Sequence, residues 1–153
     1  MTTSTASGHW AIAIHGGAGE IDRSAPAELQ QAYRDALARA LTVGRDAVAA
    51  AAALDVVELT VRALEEDPLF NSGRGAAFDA NGGHELDASI MDGSTLSCGA
   101  VAGVRTIRNP IRLARQVLER SGHVLLVGAG AEAFADAITP TVPIERVAND
   151  WFD

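Results

Sequence analysis

The sequence is poor in cysteine, in aromatic residues and in clustered positive charge. Its single cysteine, Cys98, rules out an internal disulfide and forms no ligand cluster with any of the four histidines, so it reads as a small buried hydrophobe. Aromatic residues make up 5% of a chain that is nearly half apolar and rich in alanine, so the core must be built from closely approaching helices and sheet with small side chains at the contacts. None of the twelve Lys and Arg residues forms a run and the formal net charge is −8, which argues against a nucleic-acid or anionic-membrane partner. No apolar run approaches the ~20 residues that span a bilayer, and "MTTSTASG" has neither the basic start nor the apolar centre of a signal peptide. The expectation is a cytoplasmic protein with a disordered leader over residues 1–9 and one domain's worth of chain over 10–153.

Within that stretch the pattern is mixed α and β. "HWAIAIHGGAG" predicts a buried strand stopped by a glycine-rich turn. Leu29, Ala32, Tyr33, Ala36, Leu37, Ala40 and Leu41 follow helical spacing, with Ser24 and Pro26 as start signals and Gly44 as the expected stop. A second helix is expected between Ala47 and Glu66. The alanine run hides its phase, so it could begin nearer Asp55, and Pro68 ends it.

"AAFDANGGHELDASIMDGSTLSCGAVAGV" predicts three successive antiparallel strands joined by turns at "NGG" and "DGS". In the middle strand Leu86, Ala88 and Ile90 share one face, while Glu85, Asp87 and Ser89 share the other. Asp92 sits where an aspartate bonds its own turn, and Asp87 is expected to pair with a basic residue inside the sheet, so both are given structural roles. Asn109-Pro110 opens a helix carrying Ala114, Val117 and Leu118 that stops at Gly122.

"HVLLVGAGAEAF" then poses a question, because Gly128, Gly130 and Ala133 complete the G-x-G-x-x-A form of a dinucleotide-binding turn. That fingerprint belongs on the first of several alternating β-α-β units, whereas here it follows an antiparallel meander near the C-terminal end. Glu145, the acidic residue at about the right distance for a ribose, follows the proline-bearing "TPTVP". A tight strand-to-helix turn is the simpler reading, with a nucleotide-binding module kept as an alternative.

Taken in series, "AIAIHGGAGE", "LEEDPLFNSGRGAAF", "HELDASIMDG", "CGAVAGVRTIRNPI" and "HVLLVGAGAEAFA" resemble the isoaspartyl peptidase/L-asparaginase family, the plant-type asparaginases, from Trp10 to Phe152. The resemblance implies an α+β fold: a four-layer αββα sandwich of the N-terminal-nucleophile hydrolase type, completed by a separate β chain. It implies a precursor that cleaves itself before a threonine, and a mature enzyme releasing L-aspartate from L-asparagine and β-aspartyl dipeptides. The freed threonine's own α-amine serves as base, which is chemically apt because an α-amine titrates near pH 7.7–8.0. The resemblance covers the α part only; a non-catalytic fragment is the further alternative.

The nucleophile is not expected in this chain, because "TVG" at Thr42–Gly44 lies at a helix end and Thr2 lies in the leader. What the resemblance implies for this chain's residues is specific. Asn71 would hold the β-chain threonine, the alternative being an asparagine chosen for a left-handed loop conformation. Gly16 and Gly17 would form an active-site turn, or simply end a strand. Main-chain carbonyls of Leu64, Glu65, Asp67, Phe70, Ser72 and Arg74 would surround a structural sodium ion. The alternative there is that Glu65, Glu66 and Asp67 form a solvated helix end. No organic cofactor is implied, and the partner is the β subunit in an (αβ)2 assembly.

Overall fold

A computed structural model describes residues 10–17 and 24–152; the leader expected at 1–9 lies outside them. The element order is α1 (Ala27–Ala47), α2 (Ala53–Glu65), β1 (Leu86–Asp92), β2 (Ser97–Val104), α3 (Pro110–Arg120), β3 (Leu125–Val127) and α4 (Gly128–Ile138), with 3₁₀ turns at Gly73–Gly75 and Asn149–Trp151. The fold is mixed α+β. Among the described residues, no helix is long and apolar enough to cross a membrane.

β1 and β2 pair antiparallel, and β3 joins the other edge of β2 in parallel after the crossover through α3. Helix α3 lies very close to the sheet because Gly99 in β2 has no side chain; a Cβ there would collide with the backbone of Ala114 and Leu118. Val101, Val104, Ile107, Ile111, Leu113, Ala114 and Val117 are almost fully buried at this contact. Alternation along β1 is as expected, with Leu86 and Ile90 buried and Asp87, Ser89 and Met91 exposed.

The structure corrects several expectations. Gly44 does not stop α1, which continues to Ala47. Ala36, Ala40 and Gly44 instead form a buried stripe of small residues along which α2 approaches, and a Cβ on Gly44 would strike Ile12 and Thr60. This close approach outweighs the roughly 1 kcal/mol by which glycine disfavours a helix interior. Helix α2 begins at Ala53, as the later of the two starts foresaw, with the Ala52 N–H donating to the Asp55 carboxylate at 3.3 Å.

Two of the expected strands are missing among the described residues. Residues 10–17 form no strand: they pair with no described strand and are half-buried or exposed. Residues 76–79 are likewise unpaired, and Asp79 closes the "NGG" turn by accepting from the N–H groups of Asn81 (2.7 Å) and Gly83 (2.9 Å). A strand needs a ladder partner as well as an apolar pattern, and only β1 and β2 find one nearby in sequence.

Asp87 is corrected too. Among the described residues its carboxylate pairs with no basic residue; it accepts the Gly103 N–H at 2.8 Å, where a bulge interrupts the register between Leu86 and Ala88. Asp92 behaves as expected, accepting from the Ser94 N–H and hydroxyl, which holds its carboxyl below the usual range. Cys98 is half-buried rather than buried.

Candidate functional site

The site grows out of the junction between residues 10–17, α1 and the segment that follows α2. Ile12 and Ile14 turn toward Val57, Thr60, Val61 and Leu64 of α2, leaving an apolar cleft between them. At the end of this segment Gly17 has a φ of +119° and its N–H donates to Nδ1 of His15 at 3.1 Å. Gly16 is seated so tightly that a Cβ would lie 2.9 Å from both Leu37 and Phe70. Phe70 is buried and meets Tyr33 of α1 edge to face at 6.1 Å. The glycine turn therefore packs on Phe70, and Phe70 carries Asn71 next to it in the chain.

Asn71 is exposed, and its Oδ1 accepts the Ala77 N–H at 2.9 Å, bracing the loop across six residues. Its backbone is not left-handed: among described non-glycine residues only Leu96 has a positive φ. The left-handed explanation for an asparagine here is thus set aside. Its amide nitrogen donates to no described residue, which leaves a donor for an incoming group.

The segment from Leu64 to Arg74 is wound so that backbone oxygens crowd its interior. A Cβ on Gly73 would collide with the Glu65 carbonyl, and one on Gly75 with the carbonyls of Pro68 and Phe70. Several proposed ion ligands already accept N–H bonds: Leu64 from both Glu66 and Asp67 (3.2 Å for the latter), Asp67 from Phe70 (3.2 Å) and Phe70 from Ser72 (2.7 Å). The carbonyls of Asp67 and Phe70 each keep a second lone pair, so a cradle of oxygens closed by glycines fits a hard cation in its chemistry. The Asp67 carboxylate is engaged elsewhere, by Arg39 at 2.9 Å and the Leu69 N–H at 3.1 Å.

The alternative of a solvated helix end for Glu65, Glu66 and Asp67 is set aside. Glu65 is 2% exposed, and its Oε1 accepts the Ile111 N–H at 2.9 Å, capping the first turn of α3 from another helix. Burial drives its pKa up to about 8, against the lowering effect of the Ile111 bond. Its neighbour moves the other way. Glu66 takes both nitrogens of a bidentate Arg108 pair at 2.9 Å each and the Asn109 amide at 3.0 Å, which holds its carboxyl below the ordinary value.

The sequence marked Glu65 only for its main-chain carbonyl, not for its side chain, and gave Arg108 no role. A signal existed for the first: Leu54, Val61 and Glu65 fall at helical spacing, and Leu54 and Val61 pack on the core. A carboxylate on such a stripe must be buried and needs a donor.

Gly128 opens α4 with a φ of +48°, and the space around both Gly128 and Gly130 is open. β3 is three residues long at the sheet edge, and Glu145 is bound to Arg108 at 3.3 Å. This is the tight strand-to-helix turn, with no feature that favours a nucleotide.

The model of a family described as asparaginase matches residues 8–150. The chain is 50% identical to the "Probable isoaspartyl peptidase/L-asparaginase 2" of Arabidopsis thaliana over 95% of its own length and 43% of that protein's. It is 53% identical to the "Isoaspartyl peptidase" of Escherichia coli K12 over 92% of this chain and 43% of the relative. With the "Plant-type L-asparaginase" of Pyrococcus horikoshii the identity is 44%, over 82% and 40%. The chain thus spans less than half the length of these relatives.

Proposed function

Because the chain belongs to the asparaginase family, we propose that it is the α part of a self-cleaving threonine amidohydrolase, cut from one precursor with the β chain that carries the nucleophile. The enzyme would hydrolyse L-asparagine and β-aspartyl dipeptides to L-aspartate, as a cytoplasmic (αβ)2 assembly. The observation that carries this reading is the pairing of high identity with a span of only 43% of the relatives' length. The shape of the chain agrees with it. Residues 10–17 pair with no described strand, and β3 leaves Leu125 and Val127 half exposed at the sheet edge. Strands of a second chain laid there would cover this apolar surface and build the four-layer αββα sandwich.

In this mechanism the threonine hydroxyl attacks the substrate's amide carbonyl while its own α-amine takes the proton. The C–N bond breaks as that proton passes to the departing ammonia or amino acid, and water then hydrolyses the acyl-enzyme ester to free aspartate and the threonine. Asn71 contributes a hydrogen bond to the threonine from its amide nitrogen, which donates to no described residue, with the Gly16–Gly17 turn packed behind it on Phe70. The test is direct. The protein isolated from its natural source is resolved by mass spectrometry and N-terminal sequencing, and aspartate release from both substrate classes is measured. A second polypeptide beginning with threonine, with activity in the complex, supports the reading. A single stable chain without hydrolase activity overturns it.

Sodium in the Leu64–Arg74 loop belongs to the same proposal, with carbonyls of Leu64, Glu65, Asp67, Phe70, Ser72 and Arg74 as ligands. Replacing sodium in the buffer by a large organic cation should lower the melting temperature of the assembled enzyme, because an ion that binds only the folded state stabilises it by mass action. An unchanged melting temperature across a wide sodium titration would remove the ion from the loop.

A further inference from the structure

The last described residues are strapped back onto the domain. Ile144 is buried, the Arg108 N–H donates to the Glu145 carbonyl at 3.1 Å, and the Val147 N–H donates to the Thr106 carbonyl at 2.8 Å. Arg146 is held by Glu132. The chain then turns so that Arg108 lies 5.6 Å over the Trp151 ring, and Trp151 meets Phe152 edge to face at 5.2 Å. Phe152 stacks on His84 at 4.1 Å with the planes 20° apart, and His84 packs against Phe78 at 4.7 Å.

The same Arg108 grips Glu66. A continuous line of contacts, Glu66–Arg108–Trp151–Phe152–His84–Phe78, therefore joins the end of the described chain to both ends of the segment that carries Asn71. His84 is the unusual link. It is 2% exposed, yet neither ring nitrogen has a hydrogen-bond partner among the described residues, so its faces do the holding. Buried polar atoms are rarely left so, and an apolar ring would fill this place at no such cost.

We propose that His84 and Phe152 are positioning residues for self-cleavage: their stack fixes the point from which the polypeptide beyond Phe152 leaves, at the mouth of the Asn71 loop. This rests on the precursor reading above. In that cleavage the threonine hydroxyl adds to the preceding carbonyl, the amide nitrogen leaves as the new α-amine, and water hydrolyses the ester, so only water is consumed. A linker starting from a fixed point samples fewer arrangements, and its scissile bond spends more time in attack geometry. Once the bond is cut, the threonine is no longer tied to Phe152. The stack then matters for maturation and not for turnover.

The experiment uses the full-length precursor and follows two readouts: the rate of chain cleavage, and aspartate release per mole of free N-terminal threonine. His84→Ala and Phe152→Leu should slow cleavage roughly tenfold or more while activity per cleaved molecule stays within about twofold. His84→Phe keeps a stacking ring and should cleave at the wild-type rate. Phe152→Leu keeps apolar volume without a ring, so it decides the matter even if His84→Ala fails to fold. Wild-type cleavage rates in His84→Ala or Phe152→Leu would overturn the proposal, as would a parallel loss of cleavage and of activity per cleaved molecule. Slow cleavage in His84→Phe would overturn the role of stacking. A wild-type precursor that does not cleave at all would instead bring down the functional reading, and this inference with it.

Discussion

If the proposed function holds, replacing Asn71 with alanine should lower turnover of the assembled enzyme by about 10²-fold, the size expected when a positioning hydrogen bond to a reacting group is removed. The two ends of the Asn71 amide have separate tasks. Oδ1 is already committed to the Ala77 N–H at 2.9 Å, so the loop depends on it, while the nitrogen donates to no described residue and is the end proposed to reach the partner's threonine. Alanine loses both bonds, and the loop loses about 1 kcal/mol with the Ala77 contact. Asn71→Asp separates the two effects, because it keeps an oxygen for Ala77 and replaces the donor by a negative charge. That charge favours the protonated form of the neighbouring α-amine and so disables the base at neutral pH. Activity of the aspartate variant should therefore recover in part as pH rises above 8, while that of the alanine variant should not. The check is hydrolysis of L-asparagine and a β-aspartyl dipeptide from pH 6 to 10, after complete chain cleavage has been confirmed. Wild-type activity in both variants would reduce Asn71 to a loop brace and shift attention to the Gly16–Gly17 turn.

How legible the molecule was in its sequence depended on whether the deciding contact was local. The hairpin, the Asn109-Pro110 start of α3 and the turn at Gly128 are set by neighbours within a few residues, and all were read correctly. Gly44 was misread because its reason is Thr60 and Ile12, sixteen residues ahead and thirty-two behind, where the sequence offers only a glycine near the end of a periodic run. The strand expected in residues 10–17 has the right apolar alternation, but alternation cannot reveal whether a ladder partner exists. For the candidate site, motif resemblance pointed to the Gly16–Gly17 turn and Asn71, and Phe70 supplies the packing that brings them together. The acidic run at the end of α2 left a solvated helix end open as an alternative, and contacts distant in sequence decide against it. Three consecutive acids resemble a hydrated terminus, yet Glu65 is buried, Glu66 is clamped by Arg108 and Asp67 by Arg39.

Glu65→Ala should destabilise the assembled protein by about 3 kcal/mol, since it leaves the buried Ile111 N–H without its acceptor and opens a cavity between α2 and α3. Glu65→Gln is the informative companion because its carbonyl can still accept from Ile111. The comparison with wild type then isolates ionisation. The carboxyl's folded pKa of about 8 lies well above its ordinary 4.5, so between those values the unfolded chain has released a proton that the folded protein retains. Its contribution to stability is therefore complete below about pH 4.5 and is lost as pH rises toward 8, at up to roughly a tenfold shift in the folding equilibrium per pH unit. Glu66 works in the other sense. Its lowered pKa gives stability that is present above the ordinary carboxyl range and lost in acid, so the two neighbours bend the wild-type curve in opposite directions. Subtracting the Glu65→Gln curve cancels the Glu66 contribution, because Arg108 and Asn109 hold Glu66 in both proteins. Denaturant midpoints measured from pH 5 to 9 at fixed sodium should show wild type losing ground to Glu65→Gln steadily up to pH 8 and running parallel to it beyond. Curves parallel over the whole range would mean that Glu65 is already ionised in the fold and that the positive end of α3, with Arg62 nearby, outweighs its burial.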